Sequence, residues 1–159
     1  PLIRDNIVWL GYNNGHFWFA VPDTYEEKKT DFKIDENGQK WRRMGNICFF
    51  TNLDIDKRHE DMTLFRTYSP EAYPKYDNYD AIEVPFTDAI PSDYDGIMGV
   101  PISFLDKYSP EQFEIIGSDY EVKEGKLPEI VNPNWQSKLD RGYINGNRIY
   151  SRILIRRKK

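Results

Sequence analysis

Residues 143–157 read Tyr143-Ile144-Asn145-Gly146-Asn147-Arg148-Ile149-Tyr150-Ser151-Arg152-Ile153-Leu154-Ile155-Arg156-Arg157. An Asn-Gly pair set between β-branched and aromatic residues signals a two-residue hairpin turn, because both central residues must take positive φ. The second arm alternates strictly: Ile149, Ser151, Ile153 and Ile155 share one face, and Arg148, Tyr150, Arg152, Leu154 and Arg156 share the other. The expectation is a strand-rich α+β chain that ends in a β-hairpin.

Working toward the amino end, the same grammar recurs. Ile7 to Tyr12 and His16 to Val21 are β-branched and aromatic, and Asn13-Asn14-Gly15 between them predicts a second hairpin. Residues 23–40 are mostly charged, with a turn at Glu36-Asn37-Gly38, and read as a surface excursion. Trp41 to Asn52 is a strand candidate, with Glu60 to Thr67 expected to pair with it. Ser69-Pro70-Glu71 and Ser109-Pro110-Glu111 each place a capping serine before proline, predicting helices of one or two turns. Ala81 to Val84 and Glu114 to Gly117 are short strands. Gly96 to Leu105, interrupted by Pro101, fits a strand followed by a turn or a helix that starts at the proline. Residues 118–137, with Gly125, Pro128 and Pro133, read as a loop or linker.

Composition narrows the class. The chain has 159 residues, 39% apolar and 15% aromatic, with four Trp and eleven Tyr, which is enough for a core without disulfides. Cys48, the single cysteine, is expected to pack in the run Ile47-Cys48-Phe49-Phe50, and the reducing cytoplasm is the expected compartment. The longest apolar run, Phe17 to Val21, is far short of the roughly 20 residues a membrane helix needs. The start, Pro-Leu-Ile-Arg-Asp, lacks an initiator Met and suggests an excised or processed chain.

Charge is unevenly placed. Residues 138–159 carry eight Lys or Arg against Asp140 alone, so the preceding residues hold −11 of a net −4. Arg148, Arg152 and Arg156 on one strand face, then Arg157, Lys158 and Lys159, are spaced to follow a phosphate backbone; an edge strand protected by cations is the competing reading. A second basic group, Lys40, Arg42 and Arg43, leads into a strand that ends at Asn52, and Lys57-Arg58-His59 follows it. Asn46 and Asn52 have side chains suited to reading base edges.

Catalytic motifs are sparse. Asn132-Pro133-Asn134-Trp135 lies one substitution from the Asn-Pro-Pro-aromatic loop that amino-methylating enzymes use on an extruded base, but Asn134 replaces the second proline. No glycine-rich strand-to-helix turn of cofactor spacing is present. With His16 and His59 the only histidines, neither a metal cluster nor a nucleophile triad is legible, so catalytic, cofactor and metal residues are all expected to be none. A carboxylate hydrolase would need two inward-facing acids in one cleft.

Five stretches together resemble a known family. They are Trp9-Leu10-Gly11-Tyr12; Gly45-Asn46-Ile47-Cys48-Phe49-Phe50-Thr51-Asn52-Leu53-Asp54; Tyr73 to Val84; Met98 to Tyr108 with Gln112 to Gly117; and Tyr150 to Arg157. In order and content they resemble the EcoRI-type adenine-specific DNA methyltransferases, with residues 118–147 matching least.

The resemblance implies a parent enzyme that moves a methyl group from S-adenosylmethionine to adenine N6 in double-stranded DNA, on an α/β methyltransferase domain with an added recognition region. It implies that this chain is the carboxyl-terminal portion, lacking the catalytic and cofactor motifs of the amino-terminal part and inactive alone. Residues 1–117 would be the end of the methyltransferase domain and the recognition region, 118–137 a linker, and 138–159 the basic hairpin. The DNA-binding residues would then be Arg42, Arg43, Asn52, Lys57, Arg58, Arg148, Arg152, Arg156, Arg157 and Lys158. Trp18, Phe49 and Phe50 would either support a flipped base or pack in the core. A free-standing protein-interaction module with an aromatic surface and basic tail is the rival reading. Ile7 to Tyr12 is expected to offer an exposed sheet edge through which two copies pair.

Overall fold

The computed structural model describes residues 1–158. The chain forms two compact units, one of Trp9–Asn52 and one of Pro1–Val8 with the residues from Leu53 onward.

The first unit is a three-stranded antiparallel sheet in the order β1-β3-β2, with β1 Trp9–Val21, β2 Phe32–Ile34 and β3 Lys40–Thr51. The predicted turn at Asn13-Asn14-Gly15 is not a turn: β1 runs straight through it and pairs with β3. The extra residues are absorbed as bulges on both strands, between Leu10 and Tyr12 and between Tyr12 and Gly15 on β1, and between Ile47 and Met44 on β3. Asn14 at φ 57° and Asn46 at φ 55° do take the left-handed conformation that turn residues favour. The two later shifts offset each other and the Leu10–Tyr12 shift leaves the register moved by one residue, while the ribbon stays paired from end to end. The real reversal into β3 comes at Asp35–Gln39. There Gly38 at φ 77° closes the turn and the Asp35 N–H donates to Gln39 O at 3.0 Å.

β3 pairs with β1 and not with Glu60 to Thr67, which makes only an isolated bridge, Arg66 to Pro91. β1 lies at the edge of its sheet. Cys48 is exposed rather than packed.

The second unit is built on a four-stranded sheet ordered β4-β5-β9-β6, from β4 Ile82–Glu83, β5 Met98–Val100, β6 Phe113–Ser118 and β9 Ile153–Arg157. β4 and β5 are parallel, and β9 is antiparallel to both β5 and β6. Between β6 and β9 lie the short helix α1, Asp119–Lys123, and the two-residue strands β7 Tyr143–Ile144 and β8 Asn147–Arg148.

The Asn145-Gly146 hairpin forms as expected, at φ 50° and 76°, but it is only two residues deep. The final strand leaves the hairpin and enters the middle of the larger sheet. Its composition demands this: Leu154 and Ile155 point to opposite faces and both are fully buried. A hairpin arm has one wet face, whereas an interior strand covered on both sides can bury the two. Ile155 joins Ile82, Val84, Met98, Val100, Phe104 and Phe113 on one face, and Leu154 joins Tyr76, Tyr79, Val122 and Ile130 on the other. Each such side chain contributes about 1.5–3 kcal/mol on burial.

Gly96 to Leu105 satisfies both of its readings in turn, as β5 and then a 3-10 helix, Ile102–Asp106, that starts after Pro101. The Ser69 and Ser109 segments are single turns closed by Tyr73 N–H to Ser69 O and Phe113 N–H to Ser109 O, each at 3.0 Å. Residues 118–137 differ from a linker: they carry α1 and a 3-10 turn, Pro128–Ile130, and bury Val122, Leu127 and Ile130 in the second cluster.

Candidate nucleic-acid interface

Asn132-Pro133-Asn134-Trp135 is a structural turn. The Asn132 amide Nδ2 donates to Asp77 O at 2.8 Å, and its Oδ1 accepts from Asn134 N–H at 3.0 Å. Trp135 Nε1 donates to Lys138 O at 3.0 Å, and its ring lies 5.0 Å from that of Tyr143. The amide that would grip a base amine is consumed within the protein, and the aromatic ring packs on a neighbour.

The same region is pinned by two adjacent residues. Asn78, fully buried, donates to Arg141 O at 2.7 Å and accepts from Tyr143 N–H at 2.9 Å. Asp77 accepts the turn amides of Asn145 and Gly146 at 3.2 and 2.8 Å. Asp77-Asn78 thereby holds the hairpin that carries Arg148.

The predicted phosphate row does not survive as one face. Arg152 turns inward: its Nε donates to Glu83 Oε1 at 3.0 Å, its Nη2 also reaches Glu83, and the two side chains are 12% and 11% exposed. Tyr76 donates its hydroxyl to the same carboxylate, and burial with that negative neighbour pushes the phenol pKa far up. Asp119 accepts the Arg152 backbone N–H at 2.9 and 3.1 Å, and burial raises its pKa above the usual aspartate range. Arg152 is therefore a core brace and is withdrawn from the candidate contacts. The one signal in the sequence was Glu83, an acid set between Ile82 and Val84 in an otherwise apolar strand.

The other cations, Arg58 apart, lie at or near the surface. Arg156 pairs with Glu114 at 2.8 Å and Arg157 with Asp95 at 3.5 Å, while Lys158 Nζ donates to Pro110 O at 2.6 Å. These three cations and two carboxylates line one open depression of about 580 Å³ at the end of β9. Arg148 pairs with Asp140 at 2.7 Å, and that bond holds the Asp140 pKa below the usual range. Lys57 pairs with Asp106 at 3.1 Å, and Arg58, 12% exposed, lies 3.9 Å from Asp54. The exposed pairs among these, Arg156 with Glu114, Arg148 with Asp140 and Lys57 with Asp106, are worth about 0–1 kcal/mol, so a phosphate oxygen can replace the carboxylate at little cost. Arg58 is as deeply buried as Arg152 and, like it, is not a surface cation.

In the first unit, Arg42 donates to the carbonyls of Thr30 and Asp31 at 2.6 and 3.0 Å, and Arg43 lies 3.6 Å from Asp31. Carbonyl partners leave the Arg42 charge uncompensated. Asn52 is exposed just beyond β3. Trp18, Phe49 and Phe50 are 40%, 54% and 45% exposed, so they are not core residues.

The two buried carboxylates, Glu83 and Asp119, are already bound by Arg152 side-chain and backbone groups, which leaves a paired-acid hydrolase without free acids there. Among the described residues, no group of three or more His, Cys, Asp or Glu is placed to hold a metal ion, and no helix is long and apolar enough to cross a membrane.

The chain is thus a strand-rich α+β protein with a mixed-charge depression at the end of β9. Residues 1–158 match the model of the adenine-specific methyltransferase EcoRI family, and the chain belongs to that family. It is 44% identical to the Type II methyltransferase M.EcoRI of Escherichia coli over 99% of this chain and 45% of that protein. It is 34% identical to M.MgeORF184P of Mycoplasma genitalium over 98% of the chain and 51% of the relative. M.MpnI of Mycoplasma pneumoniae is 30% identical, with 99% and 51% covered. The chain thus spans about half the length of the curated relatives it matches. No solved structure matches it.

Proposed function

We propose that this chain is the carboxyl-terminal DNA-binding and target-choosing portion of an S-adenosylmethionine-dependent adenine-N6 DNA methyltransferase of the restriction-modification type. In this reading an amino-terminal portion supplies the cofactor site and the catalytic loop. The carrying observation is the Asn132 amide, spent on Asp77 O and Asn134 N–H in a chain that otherwise matches the family from end to end. The one segment that resembles a base-gripping loop is occupied with folding.

Within the second unit, Arg148, Arg156, Arg157, Lys158 and Lys57 are the proposed phosphate contacts; within the first, Arg42 and Arg43 are proposed as further phosphate contacts and Asn52 as a reader of a base edge. Methyl transfer itself draws on the cofactor held by the other portion, and this chain's residues contribute grip and choice.

The test is duplex binding by the isolated chain, followed by fluorescence anisotropy across a salt series. Affinity is expected to fall linearly in log-log form, and removing one phosphate-contacting arginine at the β9 depression is expected to flatten the slope by about 0.9. Absence of duplex binding, or binding indifferent to salt, overturns the proposal. The second reading, a protein-interaction module, draws on the exposed aromatic side chains of the first unit and predicts salt-insensitive capture of protein alone.

A further inference from the structure

The β1–β3 ribbon has the sequence of a buried element and the exposure of a surface one. Phe17-Trp18-Phe19-Ala20-Val21 and Ile47-Cys48-Phe49-Phe50 are continuous apolar runs, the pattern of strands covered on both faces. Residues 9–21 and 40–52 contain no Asp or Glu. Yet Tyr12, Phe17, Trp18, Phe19, Met44, Phe49 and Phe50 are all 40–54% exposed. On one face Tyr12 stands 6.3 Å from Phe49 and 6.0 Å from Phe17, which is 6.4 Å from Phe19, in a continuous aromatic ladder. On the other face Leu10 is registered with Phe50, and Trp18 carries Lys33 over its ring at 4.7 Å.

Strand pairing is incomplete in the same place. β2 pairs with β3 only at Lys40, Trp41 and Arg42. Beyond the bulge at Asn46, Ile47–Phe50 have β1 as their one strand neighbour among the described residues. A two-stranded ribbon is marginal in water, and natural edges are guarded by charges or proline, which Ile47–Phe50 lack.

We propose that the ribbon is the docking surface for the rest of the enzyme: a strand of the remaining methyltransferase portion pairs with the free edge of β3 at Ile47–Phe50, and apolar faces cover the aromatic ladder and its reverse. This rests on the proposed function, which places a catalytic portion outside this chain. The occupant follows from size and chemistry. The relatives are about twice the length of the matched stretch. Beyond Lys40–Arg43 the ribbon carries no Lys, Arg, Asp or Glu, and its two apolar faces there suit a protein interior better than a phosphate backbone. The charged end at Lys40–Arg43, braced by the 22–31 segment, is left outside this surface and free to serve DNA.

The test is amide hydrogen exchange on two proteins: the chain alone, and the chain joined to the portion of M.EcoRI outside the matched stretch. The expected result is exchange at Ile47–Phe50 and along β1 slowed about 100-fold or more in the joined protein, with β9 protected equally in both. Phe49→Asp with Phe50→Asp is expected to abolish the gain without altering β9. Equal exchange of the ribbon in both proteins overturns the proposal. So does ribbon protection in the chain alone that depends on its concentration, which would assign the surface to a second copy, or protection that appears only with duplex DNA. Duplex affinity of the isolated chain reports separately on the proposed function, so the two can fail independently.

Discussion

Glu83 and Arg152, 69 positions apart, close a buried bidentate ion pair across the β4-β5-β9-β6 sheet, with Arg152 Nε 3.0 and 3.2 Å from the two carboxylate oxygens. Loss of one partner leaves a charge in the interior. Arg152→Met alone or Glu83→Leu alone is expected to cost about 3–5 kcal/mol, and the double variant to recover most of it. Urea denaturation of the three proteins measures this. Additive losses in the double variant would mean that the two charges do not act as a pair.

Asn78 is expected to matter through what it leaves behind. Asn78→Ala strips Arg141 O and Tyr143 N–H of their partner, at about 1–3 kcal/mol for each group left unpaired. Hydrogen exchange at Tyr143 should accelerate with it. An unchanged Tyr143 amide would show that the hairpin is held by Asp77 alone.

Asn132→Ala separates the structural from the catalytic reading of the tetrapeptide. In a complete enzyme containing this chain, the expected outcome is a loss of about 1 kcal/mol in stability and an unchanged rate of methyl transfer per folded molecule. A fall of several hundredfold in kcat with stability intact would make the turn catalytic.

His59 sits between Asp54, 2.7 Å from its Nε2, and Glu111, 3.2 Å from its Nδ1. Hydrogen bonds to Asp54 first and Glu111 second raise its pKa above the ordinary 6.5, while both carboxylates are held below their usual range. The folded state then binds the proton more tightly than the unfolded chain. The resulting stabilisation is complete below about 6.5 and is lost as pH climbs through the raised folded value. Melting curves across that window should show Tm falling with pH in the parent and a flatter profile in His59→Gln. Parallel profiles would remove His59 from the account.

Much of the local structure was legible in the sequence. Asn145-Gly146 turned where expected, Ser69 and Ser109 closed single turns, and Ile82, Met98 and Phe113 opened strands near their predicted places. These features follow from steric and hydrogen-bonding rules that act between neighbours. Asn13-Asn14-Gly15 carries the same local signal and did not turn, because β1 finds β3 as its pairing partner on both sides of it and the extra residue is taken up as a bulge. The site divides in the same way: Arg156, Arg157 and Lys158 meet at one depression, while Arg152, four residues before Arg156 on the same strand face, goes inside.

Local pattern, motifs and composition suffice to show that this chain is strand-rich, that its positive charge gathers at the carboxyl end, and which family it resembles. That β9 is an interior strand, that Arg152 braces Glu83 and that the Asn132 amide is already taken emerge from contacts between distant segments. A pattern of alternation specifies which side chains share a face, but not what lies opposite that face. The partner comes from a strand or loop dozens of residues away, and its polarity sets whether an arginine meets solvent or a buried carboxylate.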